Sequence, residues 1–320
     1  MDIEAIGLGE ILVDLIPIKS GSYEDGTLIE MHFGGAPANV IVGISRLGHK
    51  TAMIGAIGND PLGDLLKNFL EKEHVHTEWL IKKKARTSIA FVTLKENAER
   101  AFFFYRKPWT NTADTTLRPE DLNIDQILKT KLIHVSGVST IYPPLNKTVY
   151  LIMKKAYERK ITISFDPNYR QDLWKNSEYA LKVMNKYIKI STILTLGYDE
   201  LDNMYKSRNY KFIAEKIMNK YKNINIIAIR LGEKGAYVKT QKEEIYVPAY
   251  KIHPIDTTGA GDAWTATFLT YHILEHNDLY TSVKYANASG ALKCLKRGAV
   301  TAFPSRNELE NFIQWKNQSF

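Results

Sequence analysis

Asp256-Thr257-Thr258-Gly259-Ala260-Gly261-Asp262 runs without a break into Ala263-Trp264-Thr265-Ala266-Thr267-Phe268-Leu269. The first half is small, polar and glycine-rich. The second is apolar nearly all round and reads as a buried helix. Two glycines around one alanine let the backbone turn tightly and bring several N–H groups to the helix start. Such a start, with its positive dipole end, is an anion site. Asp262 falls in the first turn. A carboxylate beside an anion hole suits an enzyme that takes a proton from a hydroxyl while holding a phosphoryl group. On this stretch alone, a structural strand-to-helix turn with an acidic cap reads the same way.

A second stretch separates the two. Phe33-Gly34-Gly35-Ala36-Pro37-Ala38-Asn39-Val40 leads through Leu47-Gly48 to Ile54-Gly55-Ala56-Ile57-Gly58-Asn59-Asp60-Pro61-Leu62-Gly63. Together the two regions resemble the signature segments of the ribokinase-like (PfkB) carbohydrate kinases, in the family's order and spacing, and the likeness runs from about Gly7 to Pro304. It implies a three-layer α/β/α fold with a mostly parallel central sheet and a small β lid.

Composition agrees with a soluble globular protein. Of 320 residues, 44% are hydrophobic and 24% charged, enough for a real core. The single cysteine, Cys294, cannot form an internal disulfide and reads as a buried thiol. Asp2, Glu4 and Glu10 do not suit an export signal, and no apolar run reaches the roughly 18 residues of a membrane span. A cytoplasmic location with no membrane partner is expected. The net charge of +8 is spread among acids, and its densest run is only Lys82-Lys83-Lys84, which argues against a nucleic-acid partner.

Ala5 to Leu15 reads as one buried strand closing near Asp14. Ile16 to His32 reads as turns and short strands. Thr87–Leu94 and Arg100–Arg106 read as a hairpin with a polar tip at Lys95–Glu99. From Leu132 apolar strands alternate with amphipathic helices, which argues a parallel sheet covered on both faces. No linker or composition break divides the chain, so 1–320 is expected to be one domain with a lid built from about 16–33 and 86–107. The exposed lid sheet is also a candidate homodimer surface.

The resemblance implies the site residue by residue. Asp262 is the base, and the backbone of Gly259, Ala260 and Gly261 is the phosphoryl cradle. Asp14, Gly34, Gly35, Asn39, Tyr105, Arg106, Asn168 and Arg170 are expected at the sugar. Arg230, Gly232, Lys234, Gly235, Val247, Ala286 and Asn287 are expected at ATP. No Gly-x-x-x-x-Gly-Lys-Ser/Thr run occurs, which excludes a P-loop. Glu200 would place magnesium through water, although Gly197 stands where the family commonly has asparagine. Asp256 and Thr258 match the region where many members bind a monovalent cation, potassium for instance.

The implied reaction is ATP-dependent phosphorylation of a sugar's primary hydroxyl. Within the family, Thr87–Val92, Phe103–Pro108 and Phe165–Trp174 look most like bacterial and plant fructokinases. The alternative is a 2-keto-3-deoxygluconate kinase, in which arginines matching Arg106 and Arg170 face a substrate carboxylate. Those enzymes usually carry extra tyrosines near Ala90 and Phe104, absent here. A non-catalytic sugar or nucleotide sensor of the same fold would be expected to lose the base or a cradle glycine, and both are present.

Overall fold

The computed structural model describes residues 2–19, 21, 23–94 and 100–318. Among these the strands are β1 (Ala5–Leu8), β2 (Leu12–Pro17), β3 (Ile29–Gly34), β4 (Thr51–Gly58), β5 (Val75–His76), β6 (Leu80–Lys83), β7 (Ser88–Leu94) and β8 (Arg100–Tyr105). Then come β9 (Leu132–Ser136), β10 (Thr162–Asp166), β11 (Ile193–Gly197), β12 (Ile226–Arg230), β13 (Ala236–Thr240) and β14 (Glu244–Val247). They form two sheets. The large one has the order β14-β13-β12-β11-β10-β9-β1-β4-β5, with β6 also on β4; the small one has the order β3-β2-β7-β8.

From β12 across to β5 every neighbour is parallel, and β13 and β14 are added antiparallel at one edge. The central strands β1, β4 and β9 are buried along their whole length, so both faces must be covered. One core cluster packs the helices 145–158, 177–188, 198–205 and 210–220 on one face. The other packs the helices 36–46, 260–268 and 279–294 on the opposite face. This is the expected ribokinase-like three-layer architecture.

The run from Ala5 to Leu15 is not one strand. It breaks between Leu8 and Leu12, so β1 belongs to the central sheet and β2 to the small one. The break needs Gly9, whose φ is 142°; a Cβ there would strike the Ser139 hydroxyl. Glu10 turns inward at the break and accepts hydrogen bonds from the Ser136 hydroxyl at 2.5 Å and from the Ser139 hydroxyl. The chain thus crosses from core to lid over one anchored turn.

β7 and β8 pair antiparallel with Ile89 opposite Tyr105. The expected tip at 95–99 lies outside the described residues. Alternation sends Phe104 inward, nearly buried, and leaves Phe103 and Tyr105 on the outer face, 49% and 58% exposed. Among the described residues no helix is long and apolar enough to cross a membrane.

Candidate active site

A cleft of about 780 Å³ opens where β9, β10, β11 and β12 end, under the small sheet. Ligands of parallel sheets bind beyond the carboxyl ends of the strands. Its lining brings together residues far apart in sequence: Asp14, Asn39, Asp166, Arg170, Glu200, Arg230 and Asp262.

Asp262 lies in the first turn of the helix Ala260–Phe268, whose N-cap Gly259 takes φ 76°. Only glycine adopts that left-handed conformation cheaply. Gly261 needs no such φ; a Cβ there would lie 3.1 Å from Arg230 Nη1. Gly259 and Gly261 both line the cleft. Ala260 is not part of the lining, and its N–H donates to the Thr257 carbonyl at 3.2 Å. Asn39 Nδ2 donates to Asp262 Oδ2 at 2.8 Å. Burial pushes the Asp262 carboxyl up to about 6, against the pull of Asn39, Arg230 and Arg170. That puts a proton acceptor near neutral pH, as a general base requires.

Arg230, expected at the nucleotide, is committed to the cleft floor. Its Nη1 meets Asp166 Oδ2 at 2.9 Å, the Gly261 carbonyl at 3.1 Å and Thr265 Oγ1 at 3.0 Å. Its Nη2 reaches Glu200 Oε2 at 4.0 Å. Glu200 also accepts from the N–H groups of Gly197 at 2.6 Å and Tyr169 at 2.7 Å. Burial and the nearby Asp166 carboxylate push the Glu200 carboxyl up to about 7. The glycine at position 197 therefore serves Glu200 through its backbone.

Among the described residues no group of three or more His, Cys, Asp or Glu is arranged to hold a metal ion. A magnesium that keeps several waters and phosphate oxygens needs only one or two carboxylates. Glu200 and Asp166, hard oxygen donors on one wall of the cleft, fit that requirement.

At the opposite end Asp14, Gly35, Asn39, Asn168 and Arg170 line the cleft, with Phe102 and Phe104 above them. Gly34 is tight against the acid: a Cβ would lie 2.5 Å from Asp14 Oδ2. Arg170 stacks over the Phe102 ring at 4.9 Å. Two expected residues are elsewhere. Tyr105 points out of the lid and packs on Phe91, ring centroids 5.3 Å apart, because strand alternation turns it away from Phe104. Arg106 is buried against Asp114, with Nη2 at 2.8 Å and Nε at 3.1 Å from Oδ2, and Nη1 donates to the Val138 carbonyl at 3.3 Å. Ser88 and Thr112 hydroxyls satisfy the other Asp114 oxygen. Arg106 therefore braces the lid and is not part of the cleft lining.

Of the residues expected at the nucleotide, Arg230, Gly232 and Lys234 line the cleft. Gly235, at φ 111°, lies behind them, where a Cβ would collide with the Val247 carbonyl. Val247 and Ala286 are core. Asn287 is a structural tie: Nδ2 donates to the carbonyls of Val247 at 3.0 Å and Pro248 at 3.1 Å, and Oδ1 accepts from Trp264 Nε1 at 2.8 Å.

A monovalent cation at Asp256 and Thr258 does not fit the residues present. Asp256 Oδ1 accepts from the Thr258 N–H at 2.7 Å and Oδ2 from the Gly298 N–H at 3.0 Å. The ammonium of Lys293, a fully buried side chain, lies 2.5 Å from the Asp256 carbonyl and 3.4 Å from Oδ1. Two unit positive charges about 4 Å apart repel by about 4 kcal/mol at an effective dielectric of about 20.

Several site residues carried no assignment from the sequence, among them Glu10 and Asp166, which line the cleft, and Lys293. Asp166 had a signal, as the polar end of an apolar strand. Lys293 had one too, since Ala286, Ser289 and Gly290 share its helix face at helical spacing.

A buried carboxyl of raised pKa at a glycine-bearing helix start, in a cleft beneath the small sheet, is an arrangement that a small-molecule phosphotransferase could use. Residues 3–306 match the pfkB family carbohydrate kinases. The chain is 34% identical to "Probable fructokinase-5" of Arabidopsis thaliana over 98% of each chain. It is 34% identical to a sugar kinase of Pyrococcus horikoshii solved in complex with ATP, covering 97% of each chain with a TM-score of 0.82. A double mutant of Vibrio cholerae fructokinase, solved with fructose, ADP and a potassium ion, is 28% identical with a TM-score of 0.83, covering 97% of this chain and 98% of that one. The chain belongs to the pfkB family and is a carbohydrate kinase.

Proposed function

We propose that the enzyme transfers the γ-phosphoryl group of ATP to a primary hydroxyl of D-fructose, giving fructose 6-phosphate. Asp262 takes the hydroxyl proton, and the backbone of Gly259 to Gly261 receives the transferring phosphoryl. Asn39 holds Asp262 through Nδ2, while its buried Oδ1 has no hydrogen-bond partner within the protein. A substrate hydroxyl would satisfy it. Gly232 and Lys234 lie at the nucleotide end. Magnesium held through water by Glu200 and Asp166 would neutralise charge on the ATP phosphates.

The observation that carries the choice of sugar is the Arg106–Asp114 pair. A keto-acid substrate would need its carboxylate matched, and Arg106 has already spent its fork on a buried carboxylate. Among the described residues that line the sugar end, Arg170 is the one arginine, and the Asp14 carboxylate beside it can accept from sugar hydroxyls. The related fructokinases support the same reading. Purified enzyme assayed under saturating MgATP with fructose, 2-keto-3-deoxygluconate, ribose and adenosine tests it. The expected order of kcat/KM puts fructose first, and preference for the keto-acid would replace the substrate while leaving the base and cradle in place.

We also infer that two copies pair through the outer face of the lid, where Met31, Phe103 and Tyr105 are 58%, 49% and 58% exposed. Sedimentation of the wild type against Met31→Lys tests this.

A further inference from the structure

We propose that the ammonium of Lys293 does the work of a bound monovalent cation at the loop that carries the phosphoryl cradle, so that this kinase needs no potassium; the turnover part rests on the kinase reading above. Lys293 sits in the last turn of the helix Leu279–Cys294, where the carbonyl ends of the helix favour positive charge. The same helix end is spliced to the loop, because the Cys294 carbonyl accepts from the N–H groups of Ile255 at 2.7 Å and Asp256 at 3.2 Å. The Lys293 side chain is fully buried and donates to the Asp256 carbonyl, with the Asp256 carboxylate 3.4 Å away. That carboxylate in turn fixes the N–H groups of Thr258 and Gly298. Thr258 is the residue before Gly259, so the chain of contacts runs from the ammonium to the cradle in three steps. A charge tethered by a side chain is always present, whereas a dissolved ion must be recruited from solution. Lys293 is fully buried and not part of the cleft lining; it is a positioning residue.

The test compares two chloride salts at equal ionic strength, potassium and tetramethylammonium, the second too large to enter a site of this size. Wild-type turnover is expected to agree between the two salts within about twofold. Lys293→Ala removes the charge and opens room for an ion. It is expected to lose about 10–10²-fold in tetramethylammonium, less than the roughly 10²–10³-fold cost of removing a transition-state donor outright, and to recover several-fold in potassium. A structural lysine lost from the core would not be rescued by one salt over the other. Thermal unfolding of both proteins without substrates gives a second reading: potassium should raise the Tm of Lys293→Ala and leave that of the wild type unchanged. Several-fold activation of the wild type by potassium overturns the proposal, as does Lys293→Ala turning over normally in tetramethylammonium. The wild-type comparison stands even if the variant does not fold. Absence of sugar phosphorylation in every salt would strike the kinase reading instead, and the melting measurement would still decide the role of Lys293.

Discussion

Asp262→Asn should separate catalysis from stability in opposite directions. Asparagine keeps the size of the side chain and can still accept the Asn39 Nδ2 hydrogen bond, which spans 2.8 Å in the wild type. It cannot take a proton from a hydroxyl, so turnover should fall about 10²–10⁴-fold. Burial raises the Asp262 carboxyl from 3.8 to about 6. Each pH unit of displacement is about 1.4 kcal/mol, so holding the ionised form costs about 3 kcal/mol at most. The carboxylate faces the cleft, and solvent there brings the figure down to about 1–3 kcal/mol. The folded state therefore binds this proton more tightly than the unfolded chain. Its stabilising contribution is complete below about pH 4 and is lost as pH rises through about 6. Above pH 7 the neutral variant should melt a few degrees higher than the wild type. The gap should close as pH falls towards 4. Melting curves from pH 4 to 8, with single-turnover assays on the same samples, test both halves. A variant destabilised at pH 8, or one with near-normal turnover, refutes the reasoning.

For the wild type, kcat/KM should fall about tenfold per pH unit below about pH 6 as Asp262 protonates, read from an acid-limb titration. Arg230→Met should move that limb to higher pH, since the guanidinium favours the ionised base, and should lower urea stability by about 3–5 kcal/mol through the abandoned Asp166. Gly259→Ala should cost about 1–2 kcal/mol at φ 76°, measured by urea unfolding. Gly261→Val should instead abolish turnover by pressing on Arg230 while the circular dichroism spectrum is kept.

The fold was legible because its signals are dense. Apolar strands alternate with amphipathic helices, and two glycine-bearing segments mark where the chain passes the cleft. What the sequence hid was partnership. Arg106 ends a lid strand and looks like a ligand donor, but its partner Asp114 comes from a turn with no pattern of its own. Tyr105 and Phe104 are adjacent in sequence and opposite in space, so a one-residue error in facing moves a ring from the cleft to the surface. The single apolar run Ala5–Leu15 divided because Gly9 permits a kink that Glu10 then anchors, and the anchoring serines lie about 130 residues downstream. Lys293 is the clearest case. A lysine in a helix is normally solvated, and only the fold shows that its face is the buried one.

The turn 256–261 is gripped at both ends by cations, and this decides what it can bind. Lys293 Nζ takes the Asp256 carbonyl at one end, and Arg230 Nη1 takes the Gly261 carbonyl at the other. The carbonyls that would repel a phosphoryl group are thereby turned away and occupied. The backbone N–H groups of the same turn stand at a helix start, where the dipole already favours negative charge. In the proposed reaction a phosphoryl group would approach the N–H groups of Gly259 and Gly261 with the two positive charges behind the turn, since the Thr258 and Ala260 N–H groups are already bonded within it. Neither charge can diffuse away, and each is held against a carboxylate, Asp256 or Asp166. If the turn is the phosphoryl cradle proposed above, it is built before any ligand arrives, as electrostatic catalysis of phosphoryl transfer demands.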